Sequence, residues 1–336
     1  MHLENAGEIQ ELETWTHKQL SIADSLLHDR ATNGFLRSCH GDLHLDNVIF
    51  WNERFQFFDG IEFNEELSDI DVANDLAFLL MELAEHGYRE HANRLLSTYL
   101  EQTRDYTSLE ELRFYLVYRA MVRAKVDLIR QVQESGSDHA QLSDSGKRYL
   151  EFAHKTINVA KPTLYLMRGL SGSGKSTVAM KLVERLGAIR LRSDWIRKSL
   201  LGKSNPLEKT DSNELQQTYS HEATVATYDE MLRNAENVLR AGFSAIADAT
   251  FLTREQRMPF EQLAQRMGVT YRIVACTAPD AELIRRLENR SADPSDATAE
   301  TLVHQHQVMD SFTADERQNV VPAGKIVVDE VTSPKT

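Results

Sequence analysis

The chain has 336 residues, 38 Lys and Arg against 51 Asp and Glu, a formal net charge of −13 and 41% hydrophobic residues. That balance suits a folded globular chain of about two domains and excludes collagen-like, low-complexity and disulfide-scaffold readings. It also argues against a chain-wide nucleic-acid surface, which needs a basic excess.

No apolar run approaches the ~20 residues that cross a bilayer. The start, Met1 to Glu13, is polar and acidic, unlike a secretory or transit segment. The two cysteines, Cys39 and Cys276, are far apart in sequence. A reduced, cytoplasmic setting is therefore expected. The charge is uneven: residues 1–161 carry 16 Lys and Arg against 28 Asp and Glu, residues 162–336 carry 22 against 23. The shift predicts a boundary near Lys161-Pro162, with domains over 1–160 and 161–332.

Apolar residues from Leu12 to Leu27 recur at helical spacing, and Asn33-Gly34 ends that helix. Phe35 to Phe58 reads as short strands around a polar loop, His40 to Asn47, with a hairpin about Asn52-Glu53-Arg54. From Asp69 to about Leu150 only helices are predicted. Leu76 to Leu83 is apolar on nearly all sides, as in a buried helix, and Leu109 to Val132 forms a long one. Gln133 to Ser145 is loop-like. Beyond Pro162, strands at Thr163–Arg168, Ala188–Arg192, Ser244–Ala247, Tyr271–Cys276 and Lys325–Val328 alternate with helices, among them Lys175–Leu186 and Asp211–Arg240. Asp211 with Glu214 forms a capping-box pattern at the start of the last of these. The alternation predicts an α/β fold with a parallel sheet, preceded by a mainly helical region.

The segment Gly169-Leu170-Ser171-Gly172-Ser173-Gly174-Lys175-Ser176-Thr177 fits the P-loop pattern, after a strand and at a helix start. Gly172 and Gly174 let the backbone curl so that several N–H groups face one anion, and the helix start adds its positive end. Lys175 can bridge the β- and γ-phosphates of ATP, and the Ser176 hydroxyl can hold Mg²⁺. Asp194 follows the second strand, where an Asp reads as a helix N-cap or as a base for an acceptor hydroxyl; Arg197, one turn on, can hold an anion. Asp248, at the end of the third strand, reads as a strand-end cap or as a group that orders Mg²⁺. Arg286 and Arg290 share a helix face before the Asp/Pro/Ser-rich stretch from Ser291 to Asp296. They read as a solvated basic face or as a lid that neutralises a transferring phosphoryl group.

Together, the P-loop, Ser193-Asp194 with Arg197, Asp248-Ala249-Thr250 and the Arg286/Arg290 pair resemble the small P-loop kinases of the AAA-type group. These include polynucleotide 5′-hydroxyl kinases, zeta toxins, chloramphenicol phosphotransferase and gluconate kinases. The resemblance covers about Thr163 to Val328. It implies ATP- and Mg²⁺-dependent phosphoryl transfer, with Asp194 as base and Arg197 as its acceptor-side partner.

Further upstream, His40-Gly41-Asp42 with Asn47 five residues on has the His-x-Asp-x₄-Asn pattern of a kinase catalytic loop, and Asp59 follows a short apolar strand. This resembles the aminoglycoside phosphotransferase and choline kinase-like family, in which Asp42 is the base and Asn47 and Asp59 hold metal. Only 39 residues precede His40, and they read as helix, so the nucleotide-covering N-lobe is expected to be missing. His40 and His44 also admit a zinc pair, without an evident third ligand. Arg119, Arg123 and Lys125 read as an acceptor anion site or as partners of the acidic stretch Glu62 to Asp75. The implied activity is a kinase acting on a hydroxyl of a small-molecule or nucleotide-like acceptor. The alternative is a nucleotide-binding regulatory or docking module.

Overall fold

A computed structural model describes residues 6–136, 141–202, 220–289 and 299–329. Contacts divide the chain into two units: Met1–Ala92 with Ser108–Ala160, and Asn93–Thr107 with Lys161–Thr336.

The first unit opens with the long helix α1 (Ala6–Thr32), followed by β1 (Leu36–Ser38), β2 (Val48–Trp51) and β3 (Arg54–Phe57). The β2–β3 hairpin turns through Asn52 and Glu53, both with positive φ, as a two-residue turn with right-handed strand twist requires. Its aromatic residues stay exposed, Phe50 and Phe55 pairing across the strands with ring centroids 5.1 Å apart. Next come α2 (Glu65–Ser68), β4 (Asp69–Asp71), α3 (Val72–Glu85), α4 (Arg89–Thr103), whose residues from Asn93 on belong to the second unit, α5 (Leu109–Ser135) and α6 (Asp144–Ile157).

The expectation of helices alone after Asp69 is corrected here. Asp69–Asp71 pairs antiparallel with Leu36–Ser38, and Asp71 then caps α3 by accepting the Ala73 N–H at 2.8 Å. A three-residue strand of Asp-Ile-Asp carries no alternation long enough to show in sequence. The buried faces of α3, α5 and α6 meet in a core of Phe78, Met81, Val117, Ala120, Tyr149 and Leu150, onto which Leu12 of α1 packs. Beside it the Arg30 guanidinium grips Asp71 with two hydrogen bonds of 2.6 and 2.9 Å.

The second unit holds β5 (Thr163–Arg168), α7 (Lys175–Leu186), β6 (Ile189–Arg192), α8 (Ser193–Leu200), α9 (His221–Arg240) and β7 (Ala245–Asp248). It continues with α10 (Arg254–Met267), β8 (Thr270–Ala275), α11 (Asp280–Glu288), α12 (Ala299–Val308), α13 (Ala314–Arg317), β9 (Val320–Pro322) and α14 (Ala323–Asp329). The five strands form one parallel sheet in the order β6-β7-β5-β8-β9, the α/β architecture expected of a P-loop domain. Its core gathers Tyr165, Met167, Leu182, Val183, Ile246 and Val274.

A second correction concerns the last strand. Val320–Pro322 pairs with β8, whereas Lys325–Val328, read as a strand from its β-branched run, lies in α14. Pro322 ends the pairing, and the helix that follows buries Ile326 in the sheet core. Ser220 caps α9 by accepting the Ala223 N–H; the Asp211/Glu214 capping pattern lies outside the described residues.

Candidate functional site

The sheet is parallel, so β5, β6 and β7 all end on one edge, and the loops leaving that edge carry the chemistry-bearing residues. Between β5 and α7 the chain passes through Gly172 at φ +82° and Gly174 at φ +90°, conformations that side-chain-bearing residues rarely adopt. Gly169 is required for space: a Cβ there would lie 2.3 Å from the Cys276 carbonyl oxygen. Helix α7 begins at Lys175 directly after Gly174, so its free N–H groups face the loop. The buried Lys175 Nζ donates to the carbonyls of Gly169 and Leu170 at 2.9 and 2.8 Å. It is thus folded across the loop it would share with phosphate.

Behind the loop is a layer of buried charge. The Ser176 hydroxyl donates to Asp248 Oδ2 at 3.1 Å, and Arg190 Nε donates to the same oxygen at 3.0 Å. Asp248 is buried and bonded into this layer. A hydroxyl and a carboxylate side by side are hard oxygen donors, the kind Mg²⁺ takes together with phosphate oxygens and water. Ser176 and Asp248 therefore fit that ion.

Asp194 lies in the first turn of α8. The N-cap of that helix is Arg192, without a side-chain cap bond, so Asp194 does not serve as the cap. Its Oδ1 accepts from Arg197 Nη1 at 3.1 Å, with the carboxylate 24% exposed and the guanidinium largely buried. Both charges act on the half-buried Tyr228, whose phenol pKa is raised first by desolvation. Tyr228 also accepts the Phe251 N–H at 3.4 Å, and Phe251 sits at φ +47°, strained for a bulky residue. Arg257, fully buried, holds that turn by donating to the carbonyls of Phe251 and Leu252 while gripping Glu316 with two bonds.

On α11, Arg286 Nη1 donates to the Gly172 carbonyl at 3.1 Å, so this residue reaches the phosphate loop. Arg285 and Arg286 both bind Glu282, and their hydrogen bonds hold its carboxyl down at about 2. Arg290, the other half of the expected lid pair, and Ser291 to Asp296 lie outside the described residues. Gln305 of α12 touches the loop from another side. Its Oε1 accepts the Ser171 N–H at 2.9 Å and its Nε2 donates to the Ser171 hydroxyl at 3.0 Å. Sequence reasoning missed Gln305, Arg190 and Tyr228. Of the three, only Arg190 left a trace, as a charge between the apolar Ile189 and Leu191 of a buried strand.

In the first unit the structure brings Asp42, His44 and Asn47 together. His44 Nε2 lies 3.3 Å from Asp42 Oδ2, and Asn47 Nδ2 donates to the Asp42 carbonyl at 3.0 Å. The hydrogen bond from His44 lowers the Asp42 pKa, helped by its charge and those of Arg119 and Arg123, against the opposing pull of burial. His40 Nε2 donates to the Phe58 carbonyl at 2.8 Å and the Ile61 N–H donates to the His40 carbonyl at 2.9 Å. Asp59, at φ +60°, is thereby pinned alongside this loop. Arg119 bonds Asn74 and the Gly41 carbonyl, and Arg123 pairs with Glu82 at 3.1 Å. Among the described residues no group of three or more His, Cys, Asp or Glu is placed to hold a metal ion. No helix of the described residues is long and apolar enough to cross a membrane.

Residues 164–312 match the model of a family described as an AAA domain. Uncharacterized proteins of Mycobacterium tuberculosis strain H37Rv and of Mycobacterium bovis are each 30% identical over 298 residues, 87% of this chain. The chain spans 58% of the length of these curated relatives. A sugar kinase of Janibacter sp. HTCC2649 aligns over 48% of this chain and 84% of its own, at 17% identity and a TM-score of 0.36, a likeness too slight to carry an argument.

Proposed function

We propose that the second unit is an ATP- and Mg²⁺-dependent phosphotransferase that moves the γ-phosphoryl group to a hydroxyl of a small-molecule or nucleotide-like acceptor. The observation that carries this reading is the part-exposed Asp194 carboxylate, fixed by Arg197 at 3.1 Å on the sheet edge where the phosphate loop opens. A transferase needs a carboxylate to orient the acceptor hydroxyl and take its proton.

The N–H groups of Gly172 to Thr177 cradle the phosphates, and Lys175 leaves its two carbonyl partners to meet them. Ser176 and Asp248 hold Mg²⁺, which neutralises phosphate charge when bound. Arg197 binds the acceptor side, and Arg286 together with Arg290 offsets charge on the transferring group. In the first unit, Asp42 is the matching base and Asn47 and Asp59 the matching metal residues of a kinase-like lobe.

The test is single-turnover transfer of labelled phosphate from ATP to a panel of hydroxyl acceptors. Asp194→Asn is expected to keep ATP affinity within a few-fold and slow transfer by about 10²-fold or more. Normal transfer by this variant would remove Asp194 from the mechanism. If Asp42→Ala abolishes transfer while Asp194→Asn does not, the working site lies in the first unit.

A further inference from the structure

One carboxylate of the second unit comes from far outside the segment that matches the AAA-domain family. Residues Asn93, Ser97 and Glu101 recur every four positions and so share one face of α4. Asn93 Nδ2 donates to the Glu184 carbonyl near the end of α7 at 2.8 Å. Ser97 Oγ accepts the Arg190 N–H at 3.3 Å and so satisfies a donor on β6, an edge strand of the sheet. One turn further, Glu101 Oε1 lies 3.9 Å from Arg190 Nε, the atom that donates to Asp248.

Glu101 is buried, 8% exposed, and its Oε1 has no hydrogen-bond partner among the described residues. A carboxylate in such a place is costly unless its charge is used. Arg190 is buried too and stands between two carboxylates, Glu101 and Asp248, and the charge of Arg192 also acts on Glu101. A line of contacts thus runs from Glu101 through Arg190 and Asp248 to Ser176.

We propose that Glu101 is a positioning residue of the phosphate-loop site, acting through Arg190 on Asp248. The proposal rests on the reading of Ser176 and Asp248 as the Mg²⁺ residues. With Glu101 present, the Arg190 charge is shared between two acids, and Asp248 keeps enough negative charge to face a cation. Without it, Arg190 is balanced by Asp248 alone and holds that carboxylate more tightly. Groups that orient and charge-balance a metal residue in this way commonly alter metal affinity or activity by about 10–100-fold when removed.

The experiment measures binding of a fluorescent ADP analogue to the full chain, in EDTA and across a Mg²⁺ titration. Glu101→Gln, Glu101→Asp, Asp248→Asn and Ser97→Ala are compared with the unmodified chain. Glu101→Gln is expected to bind the analogue normally in EDTA but to need about tenfold more Mg²⁺ for its tightening. Glu101→Asp, which keeps the charge, is expected to recover part of that shift. Ser97→Ala loses the bond to the Arg190 backbone N–H while leaving the Arg190 side chain and its two acids in place, so it should lower the thermal midpoint and leave the Mg²⁺ requirement alone. An unchanged requirement in Glu101→Gln beside a raised one in Asp248→Asn overturns the proposal and spares the metal reading. If neither variant shifts it, the metal reading falls and the proposal with it. Should Glu101→Gln fail to fold, Glu101→Met, which also removes the charge, carries the decision, and a wild-type Mg²⁺ requirement there overturns the proposal.

Discussion

Glu111 shows how a single side chain can set pH dependence away from any catalytic group. It is 2% exposed, neither carboxylate oxygen has a hydrogen-bond partner among the described residues, and its nearest cation, Arg30, lies 3.9 Å away and is already committed to Asp71. Burial raises its pKa from 4.5 to about 7, with Arg30 opposing and Asp71 adding to the rise. The folded chain therefore binds a proton there that the unfolded chain has lost, and stability falls as pH rises from about 4.5 to about 7. Glu111→Gln is expected to leave stability near pH 4 unchanged and to raise it at pH 8 by about 1–3 kcal/mol, at ~1.4 kcal/mol per pKa unit. Thermal midpoints at the two pH values check this; an equal change at both would mean the ionisation plays no part. Lys175 tests the other unit at the same scale. Its ammonium is satisfied by two loop carbonyls, so Lys175→Ala removes a charge that phosphate would attract while leaving the glycine turns in place. Calorimetry is expected to show loss of tight ATP·Mg²⁺ binding with folding retained.

At the scale of elements, α12 meets the phosphate loop through Gln305, and Leu302 of the same helix packs with Leu170, Leu252 and Leu283. Ser171 has an N–H that must find an acceptor once buried, and Gln305 Oε1 is that acceptor. Gln305→Leu keeps the apolar bulk but orphans the N–H, at a cost of about 1–3 kcal/mol. It is expected to lower the thermal midpoint measured without nucleotide, with part of the loss recovered by saturating ADP. No trace of this pairing exists in sequence, because a Gln on an amphipathic helix gives no sign of what it faces. The loop itself was legible to the residue: Thr163–Arg168 and Lys175–Leu186 form the strand and helix anticipated, since glycine spacing, an apolar run and helical periodicity all act locally there. Asp69–Asp71 and Val320–Pro322 were not, because a three-residue strand is defined by its partner rather than by its own pattern. The same limit applied to the start of α8, where the sequence does not mark that Arg192 and not Asp194 stands at the N-cap.

At the scale of the whole chain, the units are not two successive stretches of sequence. The charge change near Lys161 marks where the phosphate-loop unit resumes, but Asn93–Thr107 also contributes to that unit. Periodicity shows that α4 has a buried side; it does not show that Ser97 covers the edge of β6, that Leu100 is fully buried, or that Glu101 reaches Arg190. Arg104 adds a hydrogen bond to Ser199 on α8, and the buried Tyr106 follows it. A fragment beginning at Lys161 keeps every residue matched by the AAA-domain family but loses these contacts, exposing the β6 edge and the end of α7. It is expected to unfold at a lower temperature than the same unit in the full chain and to self-associate through the uncovered strand. A fragment in which Asn93–Thr107 is joined to Lys161 by a flexible Gly/Ser linker, without the helices of the first unit, is expected to recover most of the difference. Thermal unfolding followed by nucleotide protection, with light scattering for association, checks both. Equal midpoints for the Lys161 fragment and the full chain would show that Asn93–Thr107 adds nothing to the stability of the unit it is folded with.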